Sequence, residues 1–114
     1  MQLEVGRRGD ALIVRVAEPR IDAAVAIQFK EAMRRVTASE AACRVILDLS
    51  AVQFLDSSGL GSVVSVMKHL GAERRLELAG LTPPVAKVFR LTRMDSVFTI
   101  HPEVPDAEAL RHAG

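Results

Sequence analysis

The run Arg44-Val45-Ile46-Leu47-Asp48-Leu49 is almost continuously apolar, as expected of a strand covered on both faces of a sheet. After a short link the period changes. Leu60, Val63, Val64, Met67 and Leu70 recur at three- and four-residue steps and predict an amphipathic helix that stops near Gly71, a residue suited to a left-handed C-cap. A buried strand passing into a helix of this kind commits the chain to layered α/β packing with that strand in the middle. The junction, Asp56-Ser57-Ser58-Gly59-Leu60-Gly61, places two hydroxyls at the start of the helix. First-turn N–H groups are unpaired and carry partial positive charge, so Ser57 or Ser58 is expected to cap the helix, and an anion attached to either would be tolerated. A phosphorylation switch is therefore physically possible at this turn.

The remaining elements follow from local pattern. Leu3 to Val5 and Ala11 to Ala17 flank Gly6-Arg7-Arg8-Gly9-Asp10 and predict an opening antiparallel hairpin, with Pro19 ending its second strand. Asp22 is a candidate N-cap for a helix whose inner face carries Val25, Phe29, Ala32, Met33 and Val36. Leu76 to Leu81 alternates as a strand, and Pro83-Pro84 can open a helix carrying Val85, Val88, Phe89 and Leu91 inward. Val97 to Ile100 predicts a short last strand, and Pro105-Asp106 a terminal helix through Leu110. The expected fold class is α/β, a mixed β-sheet with packed α-helices, forming a single domain over residues 1-114.

Composition narrows the function classes. A formal net charge of +1 gives no bulk attraction for nucleic acid, and the aromatic content of 4%, without Trp or Tyr, offers no base-stacking platform. Three scattered histidines and the single Cys43 form no recognisable metal-ligand set, and Cys43 is expected to pack as a small apolar residue. No cofactor is implied. The amino-terminal stretch lacks the apolar run of a secretory signal, and no segment is long enough to insert in a membrane, so a cytoplasmic, monomeric protein is the expectation. Catalysis ranks last, because Ser57 has no identifiable histidine–acid partnership and no phosphate-binding loop of the Walker type is present. The pairs Arg34-Arg35 and Arg74-Arg75 are expected at the solvated surface.

Phe54-Leu55-Asp56-Ser57-Ser58-Gly59-Leu60-Gly61, preceded by a Val-Ile-Leu-Asp-Leu strand, resembles the signature of STAS domains of the anti-sigma factor antagonist type. Arg20-Ile21-Asp22 resembles that family's loop ahead of the first helix, although Pro19 and Arg20 replace a stretch that often has a glycine. The resemblance extends over nearly the whole chain and implies a STAS-type fold and a partner-switching role in transcription regulation. The unphosphorylated antagonist binds an anti-sigma factor serine kinase and releases a sigma factor. Phosphorylation of the first serine, Ser57 here, switches binding off, and a serine phosphatase restores it. The implied partner-binding residues are Asp22, Asp56, Ser57, Ser58, Gly59, Leu60 and Gly61.

Each of these residues also has a plainer role. Asp22 and Asp56 are favourable at helix starts for electrostatic reasons, Gly59 and Gly61 permit close packing against the sheet as well as against a partner, and Leu60 continues the core stripe of its helix. Ser62 is a weaker candidate for partner contact. The alternative function is a STAS subunit of an ABC transporter that binds and stabilises its cytoplasmic ATPase. A serine kinase and sigma factor encoded beside the chain favour the first role; a permease and ATPase favour the second.

Overall fold

Strict alternation along the second strand organises the molecule, because Leu12, Val14 and Val16 enter one core while Ala11 and Ile13 enter another on the opposite face. The computed structural model describes residues 1–113. Strand β1 (Leu3–Arg8) turns at Gly9, where φ is +59°, into antiparallel β2 (Ala11–Val16), the hairpin expected from the paired glycines. A two-residue β3 (Arg20–Ile21) follows, then α1 (Ala26–Ser39), β4 (Arg44–Asp48), two-residue β5 (Phe54–Leu55), α2 (Ser57–Leu70), β6 (Arg75–Ala79), α3 (Pro83–Leu91), a 3-10 turn at Met94–Ser96, β7 (Ile100–His101) and β8 (Glu108–His112). The main sheet has the order β7-β6-β4-β2-β1-β8, with β2, β4, β6 and β7 mutually parallel and β4 interior, as its apolar run requires.

The three helices share one face of the sheet. Phe29 and Met33 from α1, Val63 and Val66 from α2, and Val85 and Phe89 from α3 join Leu12, Val14, Val45, Leu47 and Leu78 in one aliphatic core. Because α1 and α2 each return between parallel strands, their N-termini lie at the same end of the sheet. The opposite face has only a small apolar cluster, Ala11, Ile13, Ile46 and Ala79, which Val104 and Ala107 of the C-terminal segment cover.

Several expectations are corrected. The predicted terminal helix is strand β8, antiparallel to β1, because β1 presents an open edge of N–H and C=O groups and a helix this short cannot offset the cost of nucleation. Gly6 permits this approach, since a Cβ there would lie 2.8 Å from the Glu108 carbonyl oxygen. The strand predicted at Val97–Ile100 shrinks to Ile100–His101, with a 3-10 turn before it. Leu91, expected inward, is 70% exposed at the end of α3, and Cys43 is exposed in the loop before β4. Arg74 is no solvated surface residue either. Its guanidinium donates to the carbonyls of Thr37, Glu40 and Ala42 and so caps the C-terminal end of α1 from a distance.

Candidate functional site

The site is built on the β3–β5 ladder, which sequence pattern does not foresee. Arg20 pairs with Phe54 and Ile21 with Leu55 in parallel register, and the Pro19 carbonyl accepts hydrogen bonds from the Gln53 and Phe54 N–H groups. This ladder places the loop before α1 against the start of α2. Gly59 completes the contact, because a Cβ at that position would stand 1.9 Å from the Ile21 carbonyl oxygen. The backbone that approaches Gly59 thus belongs to the chain itself. Gly61 differs, being exposed with nothing within 4 Å of the point a Cβ would occupy.

Asp56 caps α2, a correction to the expectation for Ser57 or Ser58. It sits in extended backbone (φ −96°, ψ −175°), and its Oδ1 accepts from the Gly59 N–H at 2.8 Å. Its Oδ2 accepts from the Ala23 N–H at 3.1 Å, so one carboxylate satisfies a helix terminus and pins the neighbouring loop. Both serine hydroxyls are thereby released from the capping task. Ser57 and Ser58 are exposed in the first turn, and neither hydroxyl has a hydrogen-bond partner among the described residues.

Asp22 is not the N-cap of α1, which begins at Ala26 after an uncapped Val25. The intervening residues form a turn in which Asp22 Oδ1 accepts from the Ala24 N–H at 3.1 Å. Its Oδ2 lies 3.2 Å from Arg20 Nε, and the Arg20 guanidinium carbon sits 4.1 Å above the Phe54 ring centroid. Arg20 and Phe54 are site residues that sequence reasoning misses. They are remote in the chain, and nothing local to either announces a stack that only the parallel register creates. Leu60 is partly buried against the main core, while Ser62 is buried and donates to the Gly59 carbonyl at 2.6 Å, which removes it from the surface set.

The site therefore presents two exposed hydroxyls over the positive end of a helix, flanked by the Asp22 and Asp56 carboxylates and by Arg20. The histidines lie elsewhere. His69 occupies the last turn of α2, roughly 18 Å along the helix axis from Ser57, His101 bonds to Glu77, and His112 is in β8.

A second polar cluster occupies the outer face of the sheet. Glu77, 2% exposed, accepts two hydrogen bonds from Arg44 at 2.9 and 3.1 Å, and lies 2.9 Å from Arg75 and 2.7 Å from His101. The Arg44 hydrogen bonds outweigh the cost of burial and hold the Glu77 carboxyl well below the usual carboxylate range, at about 2.

Comparison with known proteins places this geometry in a family. A STAS domain profile matches residues 2–107. The chain belongs to the STAS family. Strand β8 lies beyond the matched segment. Among solved structures, the STAS domain is similar to an anti-sigma factor antagonist from Mycobacterium paratuberculosis, with 27% identity, a TM-score of 0.78 and coverage of 90% of this chain and 86% of the other. It also resembles the anti-sigma factor antagonist SpoIIAA in its unphosphorylated form, at 22% identity and a TM-score of 0.69 over 89% of each chain. The same fold recurs within the murine solute carrier 26 family member A9 anion transporter, at 14% identity and a TM-score of 0.75, covering 90% of this chain and 21% of the transporter. No helix among the described residues is long and apolar enough to cross a membrane.

Proposed function

We propose that this STAS domain is an anti-sigma factor antagonist, a non-catalytic cytoplasmic module that in its unphosphorylated form captures an anti-sigma factor serine kinase and so releases a sigma factor. The docking face comprises Asp22, Asp56, Ser57, Ser58, Leu60 and Gly61, with Gly59 buried beneath it against the Ile21 carbonyl. The observation that carries the reading is the division of labour at the start of α2, where Asp56 performs the capping and leaves an exposed Ser57 hydroxyl with no structural duty. Likeness to the antagonist from Mycobacterium paratuberculosis supports the same role.

Phosphorylation of Ser57 adds about −1.5 to −2 charge and strong acceptors to a surface that must be desolvated on docking. The helix terminus offsets part of that charge, whereas Asp56 and Asp22 oppose it. Modification should therefore disrupt docking more than folding, and removal of the phosphate by a serine phosphatase restores the binding form. At 14% identity the likeness to the transporter carries the fold and not the role.

Incubation with a candidate kinase and ATP, followed by mass spectrometry, is expected to place the phosphate on Ser57. Ser57→Asp should weaken kinase binding by about 100-fold or more, a loss of roughly 3 kcal/mol, while Ser57→Ala binds like wild type and cannot be switched. Phosphate entering elsewhere, together with wild-type binding by Ser57→Asp, would refute the switch. Tight binding to a transporter ATPase irrespective of phosphorylation would establish the transporter-subunit role instead.

A further inference from the structure

Helices α1 and α2 leave an open groove of about 230 Å³ between them, lined on one side by Ile27, Lys30, Glu31 and Arg34 and on the other by Val66 and His69. Ile27 is 66% exposed, although it is a large aliphatic residue in the first turn of α1, while Val66 is buried in the floor. Lys30 and Arg34 stand one turn apart on the same rim, and neither has a carboxylate within 4.0 Å among the described residues, despite the nearness of Glu31 in sequence. On the outer face of the sheet, by contrast, Arg44 and Arg75 are both paired with Glu77.

The α2 wall of the groove is low. Its near edge is the small, exposed Ser65, one residue before the buried Val66 of the floor. The groove begins at Ile27 in the first turn of α1, just after the turn that Asp22 closes, and on α2 it is bounded by Ser65, Val66 and His69. An apolar side chain without cover, two unmatched cations and a low wall together fit a helix that brings acidic groups and one aliphatic anchor.

We propose that the α1–α2 groove is a second docking point for the kinase, occupied by an amphipathic helical segment of that protein whose carboxylates meet Lys30 and Arg34 and whose apolar anchor lies between Ile27 and Val66. This rests on the function proposed above, extends the contact along α2 away from Ser57, and assigns the partner's chemistry as acidic. Because Lys30 and Arg34 are exposed, their part is in steering and salt-sensitive affinity, whereas Ile27 contributes a salt-independent share.

The test uses the full chain and the kinase that phosphorylates Ser57, with affinity measured by titration calorimetry at low and high ionic strength and folding checked by thermal melts. The double variant Lys30→Glu with Arg34→Glu is expected to weaken binding about 10-fold or more at low salt and to flatten its salt dependence. Ile27→Ala should lose about 5-fold at either salt concentration, and Arg8→Glu, on the hairpin, should stay within about 2-fold of wild type. The proposal is overturned if the double variant retains wild-type affinity and salt slope, or if Arg8→Glu loses as much. A wild-type dimer that the double variant dissolves would also overturn it, assigning the groove to a second copy. Failure of the wild type itself to bind any serine kinase would reject the function above, an outcome separate from an unaffected double variant.

Discussion

Asp56 and Glu77 are both carboxylates held by several donors, yet they do opposite things to the surfaces around them. Asp56 takes its hydrogen bonds from backbone N–H groups, those of Gly59 and Ala23, and so joins a helix start to a loop without using any neighbouring side chain. Glu77 accepts hydrogen bonds from Arg44 and His101 and forms an ion pair with Arg75, which ties β4, β6 and β7 together through side chains. The difference teaches where change is tolerated. A site fixed through its backbone keeps its side chains available for modification or docking, whereas a site fixed through ion pairs has committed them to the fold.

The sharpest break in this comparison should come from Glu77→Gln, which leaves Arg75 without its counter-charge and Arg44 with the exposed Asp10, 3.5 Å away, in place of a buried carboxylate. The expected loss is about 3 kcal/mol at neutral pH, or on the order of 10 °C in Tm, read from denaturant and thermal unfolding. The pH dependence has a definite sign. With its folded pKa depressed to about 2 from 4.5, Glu77 contributes its full stabilisation above the unfolded value and loses it as pH falls from near 4.5 toward 2. The Gln variant should lack that portion of the acid transition, and an unchanged profile would remove Glu77 from the account.

A smaller effect is expected from Asp56→Ala, which removes a helix cap and the bond to Ala23. Stability should fall by about 1–2 kcal/mol, with hydrogen exchange accelerated at both Gly59 and Ala23. Faster exchange at Gly59 alone would show that the carboxylate does not couple the two segments.

The smallest change separates stability from binding. Gly61→Ala has room for its methyl group and should stabilise α2 by up to about 1 kcal/mol, while weakening capture of the kinase by covering bare backbone on the docking face. A variant that is both more stable and binds normally would exclude Gly61 from the interface.

Much of this molecule is legible without coordinates. The apolar run of β4, the 3.6-residue stripes of α1 and α2 and the Asp-Ser-Ser-Gly junction are local signals, and each of these elements forms where its periodicity places it. The cap on α2 falls one residue before the expected serines because Asp and Ser are both good caps, and only backbone conformation distinguishes which side chain faces the free N–H groups. Asp22 departs from expectation for a similar reason: an aspartate can close its own turn as readily as it can start a helix, and α1 begins four residues later.

By itself, the amino-acid sequence determined the α/β layering, the central strand, the helix faces and the position of the double-serine junction, because burial and period act over neighbouring residues. Tertiary structure alone decided the β3–β5 ladder, the Arg20–Phe54 stack, the bond from Ala23 to Asp56 and the addition of β8 to the edge of β1. Two-residue strands have no period to detect, and a terminal segment takes its conformation from whichever unpaired edge it meets, so their energies arise from contacts between residues far apart in the chain.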